Sequence, residues 1–342
     1  MKIKFKALIN ATSGILQLPA VAFFLFKNVR TQKKFIKKHL VGELKPFRVT
    51  SDNSLSKEDF IKITHYYGLG VPAILGSTFC RLHNKKFEKQ ERIVMTYLGG
   101  ISGLLDDLFD DPEREWNHLE EFILAPGKLE PKNNLEAILK QLYLKGLESS
   151  ENSDTLKKQA LLVFITEKQS LQQQSSIAPS KIKELTFLKG GHSFIYYRLC
   201  LNAPLLGPER KMIYQFGGLM QMGNDIFDVW EDCQQGIHTL ATIEKDIKHL
   251  RRCFNMELDL ALNYTYACEF KEKQIEQFLK LTLFGLCRVF VCLDQLEKLQ
   301  NTTNGIFEPH SYSRKQLICD MQRSENKKAA LKYYLKLLSE II

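Results

Sequence analysis

The stretch "GGISGLLDDLFDDPERE", Gly99–Glu115, gathers four aspartates within six positions. Asp106 and Asp110 are four residues apart, as are Asp107 and Asp111, so on a helix each pair lies within about 40° of one direction. Carboxylates this close repel one another. A divalent cation removes the repulsion, and hard carboxylate oxygens suit Mg²⁺. The stretch therefore predicts a magnesium site, and a solvated acidic turn is the alternative interpretation.

The residues before the aspartates predict the helix that carries them. No proline interrupts Lys89–Asp111, and apolar residues recur there at helical spacing. Pro112 disfavours helix at the residue before it, so the carboxylates fall in the last turns. Acids are unfavourable there without a cation, because a helix C-terminus carries partial negative charge. The helix is also rich in small residues, which indicates that it lies in the interior of the fold.

A second stretch, "FGGLMQMGNDIFDVWEDCQQG", Phe216–Gly236, repeats this design. Asn224, Asp228 and Asp232 are spaced i, i+4 and i+8, which keeps them within about 80° of one another on a helix. Gly236 is a typical helix stop. If the C-terminal ends of both helices face one mouth, they form two carboxylate walls. Mg²⁺ held that way would bind a polyanion, and an apolar cavity below would favour a lipid diphosphate.

The rest of the chain also reads as helix. Apolar residues recur at helical spacing in Leu135–Leu147, Leu156–Gln169, Met256–Phe270, Ile275–Leu299 and Ala329–Ile341. Strand-like alternation is scarce, and 44% of the 342 residues are hydrophobic, which is enough for a core. We expect one all-α domain of about a dozen helices, with a basic helical segment at 1–50 preceding residues 51–342. The eight cysteines form no Cys-x-x-Cys pair, which favours a reducing, cytoplasmic location.

The charge of +9 is concentrated at the N-terminus. Residues 1–50 contain eleven Lys and Arg and one acid, and the remaining residues sum to −1. Nucleic-acid binders usually spread basic residues over the folded domain, so we expect no nucleic-acid partner. Ala7–Phe26 is largely apolar but is diluted by polar residues and Pro19. A buried helix is favoured; an interfacial, membrane-contacting helix and a membrane span stay open, and the basic run Arg30–Leu40 keeps peripheral membrane contact open.

Both clusters match motifs of one known superfamily. "DDLFD", Asp106–Asp110, resembles the DDxxD motif of the class I isoprenoid (terpene) synthases. "QMGNDIFDVWED", Gln221–Asp232, resembles the second motif of the squalene/phytoene synthase-like branch. It also resembles the metal-binding triad of terpene cyclases through Asn224, Asp228 and Asp232. Order, spacing and helical context agree over roughly residues 60–300.

This resemblance implies a fold and a chemistry. The fold would be an antiparallel helical bundle around a deep apolar active-site cavity. Three Mg²⁺ ions and basic side chains would withdraw the substrate diphosphate and leave an allylic cation. The implied metal ligands are Asp106, Asp107, Asp110, Asn224, Asp228 and Asp232.

Departures from the family patterns disfavour two of the reactions that this superfamily catalyses, head-to-head condensation and chain elongation. Phe227 stands where the squalene/phytoene pattern has arginine, and "GIHTLAT" replaces the basic stretch that usually follows. Chain-elongating synthases follow the first motif with Arg-Arg-Gly and carry an early Gly-Lys-Arg motif, and neither is present here. A one-substrate cyclase remains the favoured interpretation.

A further stretch, "FLKGGHSFIYYRL", Phe187–Leu199, places two glycines inside a helical run. Gly190-Gly191 predicts a break or kink that would free backbone groups. The related families place a lysine and a small residue at such a kink beside the diphosphate. Lys189 and Ser193 are the corresponding candidates; an ordinary helix–helix turn with a surface lysine is the alternative.

Other site candidates rest on charge or residue type. Arg198 and Arg323 are candidate diphosphate contacts on charge alone, and His192 is expected to be a packed or solvent-facing side chain rather than a catalytic base. Phe227 is a candidate for stabilising a carbocation through its ring face. The predicted catalytic residues are Asp106, Asp110, Lys189 and Phe227.

The sequence thus predicts a Mg²⁺-dependent terpene cyclase acting on a linear prenyl diphosphate, with geranylgeranyl diphosphate favoured. A prenyltransferase that joins two prenyl units is the alternative, and a non-enzymatic helical metal-binding scaffold is a third reading. A homodimer is left open.

Overall fold

The computed structural model describes residues 2–50, 52–110 and 115–341, with side chains from Leu18 onward in these ranges except that of Asp110. The described chain is all-α, without a β-strand in these ranges, as predicted. The α-helices are α1 Lys2–His39, α2 Val41–Val49, α3 Lys57–Ile61, α4 Gly68–Gly70, α5 Ser77–Leu82, α6 Lys89–Asp110, α7 Trp116–Leu124, α8 Asn134–Glu148, α9 Ser153–Ser170, α10 Pro179–Leu199, α11 Gly207–Phe227, α12 Val229–Gln235, α13 Leu240–Ile243, α14 Ile247–Tyr266, α15 Glu272–Gln300, α16 Arg314–Leu317 and α17 Ser324–Ile341. Two π-helical segments lie at Lys62–Tyr67 and Val71–Gly76, and short 3₁₀ turns lie at Pro126–Lys128, Leu171–Gln174 and Pro309–Ser311.

Polar side chains start several of these helices. Ser56 and Asp59 form a reciprocal capping box at α3, and the Asn133 side chain accepts the Glu136 amide at α8. Each cap satisfies main-chain donors that the first helical turn leaves unpaired. Among the described residues, no helix carries an apolar stretch long enough to cross a lipid bilayer.

The chain forms two compact units. The first comprises Ala22–Lys168 and Ile195–Leu205, and the second comprises Met1–Val21, Gln169–Phe194 and Leu206–Ile342. The division at residue 50 and the single-domain organisation stay predictions.

In the first unit, α6 packs along α8. Leu98, Ile101 and Leu104 are fully buried on α6, and Leu142 is fully buried on α8. Gly146 lets the two helices approach closely, because a Cβ there would lie 2.4 Å from the Leu98 side chain. This packing fixes α6, whose C-terminal end carries the first aspartate cluster.

In the second unit, α11 packs against α14 and α15, and α15 packs against α17. Phe216, Leu219 and Met222 of α11 are buried together with Leu286 and Leu293 of α15. These contacts hold α11, whose C-terminal end carries the second cluster.

Candidate functional site

The first carboxylate group lies at the C-terminal end of α6, as predicted. Asp106 is half-buried, and the Tyr67 hydroxyl donates a 3.4 Å hydrogen bond to its Oδ2. Gly103 makes this contact possible, because a Cβ there would lie 2.4 Å from the Tyr67 ring. One turn earlier, the Tyr197 hydroxyl donates to Ser102 Oγ at 2.9 Å. Two tyrosines therefore pack beside the Asp106 carboxylate.

Asp107 has an ion-pair partner that the sequence did not indicate. Lys62 Nζ lies 2.6 Å from Oδ1 and 2.5 Å from Oδ2 of Asp107. Both side chains are exposed, at 34% for Lys62 and 45% for Asp107. Lys62 is 45 residues away in sequence and begins a π-helical segment, so no local pattern could reveal the pair. The Lys62 ammonium therefore balances the charge of Asp107.

The remaining aspartates of this cluster are not described in full. The Asp110 side chain and all of Asp111 lie outside the described residues. Within the described part of the chain, no three His, Cys, Asp or Glu side chains are arranged as a preformed metal site. The metal-binding roles of Asp106, Asp107 and Asp110 stay predictions.

The second carboxylate group lies where α11 gives way to α12. The predicted unbroken helix over Phe216–Gly236 is wrong at one residue, because Asp228 has φ −96° and ψ 15° and separates the two helices. The hydrogen bonds of helical spacing nevertheless persist: Asp228 donates its N–H to the Asn224 carbonyl at 2.9 Å, and Asp232 donates to the Asp228 carbonyl at 2.8 Å. Gly236, with φ 67°, ends α12 in the left-handed conformation, as predicted.

The second carboxylate group brings several acidic side chains close together. Asn224 Nδ2 donates to Asp228 Oδ2 at 2.6 Å. Burial and then Glu231 raise the pKa of Asp228 above its ordinary value. Asp232 Oδ2 is buried, and none of the described residues donates a hydrogen bond to it. Burial, followed by the charges of Asp225 and Asp228, raises the pKa of Asp232 to about 8.

Asp225 differs from its neighbours because its hydrogen bonds are satisfied within the protein. The Thr186 hydroxyl and the Gln221 amide donate to it at 3.0 and 2.9 Å. Burial raises its pKa to about 6, against these hydrogen bonds and the charge of Lys189. Asp225 therefore joins α10 to α11 rather than offering a vacant ligand.

These observations test whether the residues fit a magnesium ion. Among the described residues, none donates a hydrogen bond to the buried Asp232 Oδ2, and leaving such an acceptor unpaired is costly. A nearby divalent cation would favour the ionised forms of Asp228 and Asp232 and would supply the missing partner. Asn224, Asp228 and Asp232 provide the oxygen ligands that Mg²⁺ prefers, so the residues fit the ion.

The predicted helix break at Gly190-Gly191 is wrong, because α10 runs as one α-helix from Pro179 to Leu199. The glycines instead allow α10 to touch α11. A Cβ on Gly190 would lie 2.1 Å from the Gly217 carbonyl oxygen, and a Cβ on Gly217 would lie 2.3 Å from that of Gly190. The pair is a helix–helix contact point.

Lys189 sits next to this contact and faces the second carboxylate group. It is half-buried, and its charge lowers the pKa values of Asp225 and Asp232 against the larger effect of burial. Ser193 Oγ donates to the Lys189 carbonyl at 2.9 Å. The His192 ring packs edge-on against Tyr214, and burial lowers its pKa, as expected for a packed histidine.

The two arginines chosen on charge alone occupy different surroundings. Arg198 is fully buried in the first unit and donates to the carbonyls of Ala203 and Pro204 at 3.0 and 3.1 Å. Its guanidinium therefore supports a loop. Arg323 is exposed and lies near Asp320 and Glu325 at 3.9 and 3.5 Å.

Two arginines that sequence reasoning missed lie beside the second carboxylate group. The Arg288 guanidinium lies 5.4 Å from the centre of the Phe227 ring, and Arg314 lies 3.7 Å from Glu231. Both side chains are exposed. They come from α15 and α16, far from the motif in sequence, and no spacing pattern marks them.

No protein-family model matches this chain, and a search of curated protein sequences finds no match.

Proposed function

We propose that this chain is a Mg²⁺-dependent class I terpene synthase that ionises one linear prenyl diphosphate, geranylgeranyl diphosphate being favoured, and cyclises it to a terpene hydrocarbon or alcohol. The observation that carries the proposal is the group Asn224, Asp228 and Asp232, where two half-buried carboxyl groups with raised pKa values lie at motif spacing and the buried Asp232 Oδ2 accepts no hydrogen bond from the described residues. Such a group is costly for folding alone and is suited to a divalent cation.

In this proposal, side chains of the second unit bind the metal and stabilise the charge of the diphosphate. Bound Mg²⁺ would neutralise charge on the departing diphosphate. Asn224, Asp228 and Asp232 would bind the metal through their side-chain oxygens, and Asn224 Nδ2 orients Asp228 through its 2.6 Å hydrogen bond to Oδ2. Lys189 supplies a fixed positive charge beside these carboxylates, and such preorganised charge is worth most where water is excluded.

Phe227 is the proposed cation-stabilising ring. One of its faces already accepts a cation, because Arg288 stacks on it. Aromatic faces attract positive charge by about 0.5–2 kcal/mol, depending on how far the site is desolvated. The candidate hydrogen-bond donors to the diphosphate are Lys189, Arg288, Arg314 and Arg323. Arg198 is no longer a candidate, because its guanidinium donates to backbone carbonyls.

The aspartates of α6 form the second proposed metal-binding group. Asp106, which accepts a hydrogen bond from Tyr67, would be one metal ligand, and Asp107 would exchange Lys62 for the metal. An exposed ion pair of this kind contributes little free energy, so the exchange is cheap.

The test distinguishes cyclisation from prenyl transfer. The purified chain is incubated with Mg²⁺ and, one at a time, geranyl, farnesyl, geranylgeranyl and longer prenyl diphosphates, with and without isopentenyl diphosphate. We expect one substrate alone to give inorganic diphosphate and an extractable product of unchanged carbon number. A doubled carbon number would instead show head-to-head condensation, a longer diphosphate formed only with isopentenyl diphosphate would show chain elongation, and no turnover would favour a scaffold.

Matched variants connect the reaction to the second carboxylate group. Asp232→Asn should reduce turnover by at least about 100-fold, by analogy with the loss of one electrostatic stabiliser. Asp259→Asn removes an exposed carboxylate from α14 and should leave turnover unchanged. Equal effects of the two substitutions would remove Asp232 from the proposed site.

A further inference from the structure

Helix α1 presents two very different faces from Leu18 onward. On the inner face Ile36 is buried, at 5% exposure, and Leu40, the residue directly after the helix, is fully buried. Gln32, also fully buried, donates to the Gly68 carbonyl and to Thr96 Oγ1, both at 2.8 Å, and accepts from Arg92 at 2.9 Å. These polar contacts inside the first unit fix the rotation of the helix about its axis.

The outer face of α1 is therefore determined by the fold. Phe23 and Phe26 are 67% and 64% exposed there. With Arg30, Lys34 and Lys37, all exposed, they are spaced by three or four residues and lie within about 80° of one direction. An exposed pair of phenylalanines on a fixed helix is unfavourable in water, since apolar surface of this size stabilises only when buried.

The charge of this face is of one sign. Its exposed cationic side chains are Lys27, Arg30, Lys33, Lys34, Lys37 and Lys38. The sequence contains no Asp or Glu before Glu43, so no acid in that stretch offsets them. The outer face thus has aromatic side chains in one part and a dense basic array in the next.

We propose that the outer face of α1, from Phe23 to Lys38, docks on an anionic lipid surface. Phenylalanines insert at the boundary between headgroups and acyl chains, while lysines and arginine contact anionic headgroups. A nucleic acid would satisfy the basic array but would leave the neighbouring phenylalanines in water, so the pairing of the two favours lipid. This inference stands independently of the proposed reaction.

The test is co-sedimentation of the full chain with vesicles. One set is phosphatidylcholine alone, and in the other about a third of the lipid is phosphatidylserine. We expect binding to the anionic set only, weakened strongly at about 0.5 M salt because screening shortens the reach of charges. Duplex DNA can bind the basic array but not the phenylalanines, so at a phosphate concentration equal to that of the anionic lipid it should leave most of the native chain on the vesicles.

Two variants separate the contributions of charge and insertion. Arg30→Gln with Lys34→Gln and Lys37→Gln should weaken anionic vesicle binding on the order of 100-fold. Phe23→Ser with Phe26→Ser should weaken it about 10- to 100-fold at unchanged charge. All five side chains are exposed, so circular dichroism should show an unchanged fold.

The control removes the same number of charges elsewhere. Lys315, Lys327 and Lys328 are exposed in the second unit, and their joint replacement by Gln should change binding by less than about 3-fold. The proposal is overturned if the control weakens binding as much as the α1 variants, if the phenylalanine variant binds like the native chain, or if DNA at a phosphate concentration equal to that of the anionic lipid displaces the native chain completely.

Discussion

Replacing Gly190 with alanine should separate α10 from α11 and displace Lys189. The new Cβ would lie 2.1 Å from the Gly217 carbonyl oxygen, whereas an ordinary contact needs well over 3 Å. A backbone oxygen cannot rotate away, so the helices must move apart, at a cost of about 3 kcal/mol or somewhat more. Alanine returns about 1 kcal/mol through its higher helix propensity. We expect the unfolding free energy to fall by about 2 kcal/mol or more.

Gly285→Ala is the matched control. Gly285 lies inside α15, and a Cβ there would meet only Met220 Cε, at 3.9 Å. With ordinary contact and better propensity, this variant should be more stable than the native chain by about 0.5–1 kcal/mol. Urea unfolding followed by circular dichroism measures both differences. The reasoning is refuted if Gly190→Ala lies within about 0.5 kcal/mol of the native chain, or if Gly285→Ala loses as much stability as Gly190→Ala.

Three further predictions concern the carboxylate groups. Asn224→Ala and Asp106→Asn should each lower turnover at least about 100-fold while the far-ultraviolet circular dichroism stays native; native rates would exclude these side chains from the site. The pKa values of Asp232 and Asp225 are raised to about 8 and about 6 from an ordinary 3.8. Between pH 3.8 and about 8 the metal-free folded chain therefore holds more protons than the unfolded chain. Its unfolding free energy should fall as the pH rises through this range. Saturating Mg²⁺ should flatten that dependence in urea titrations, and a metal-free stability that rises with pH would contradict the assignment. Lys62→Met should change the unfolding free energy by less than about 1 kcal/mol, since its partner Asp107 is exposed. The same substitution should lower the Mg²⁺ concentration needed for half-maximal turnover. A higher Mg²⁺ concentration at half-maximal turnover would argue against Lys62 as a competitor of the metal.

Local sequence patterns predicted most of the helices. The predicted spans Leu135–Leu147 and Ile275–Leu299 lie inside α8 and α15. Apolar residues at helical spacing form a stripe on one side of a helix, and burying that stripe in the core stabilises the helix. The Gly236 stop also follows from a local rule for glycine. These features depend on residues a few positions apart.

What the sequence did not reveal depends on contacts between distant segments. Gly190-Gly191 was expected to break or kink α10. In the structure, Gly190 instead lets the Gly217 backbone approach closely, because it has no Cβ. The Lys62 partner of Asp107 and the Arg288 contact with Phe227 likewise join segments far apart in the chain. The interruption at Asp228 has no proline or glycine to announce it. Pairings of this kind leave no periodic signal in one sequence.

The central claim is that Asn224, Asp228 and Asp232 hold Mg²⁺ for the departure of a prenyl diphosphate. The most direct measurement is release of inorganic diphosphate from geranylgeranyl diphosphate by the native chain, with Mg²⁺, with Mg²⁺ chelated by EDTA, and with Asp232→Asn in Mg²⁺. The account predicts release in the first case, accompanied by a twenty-carbon product, and at least about a 100-fold loss in the other two. Release that survives EDTA, or that proceeds at the native rate in Asp232→Asn, would contradict it.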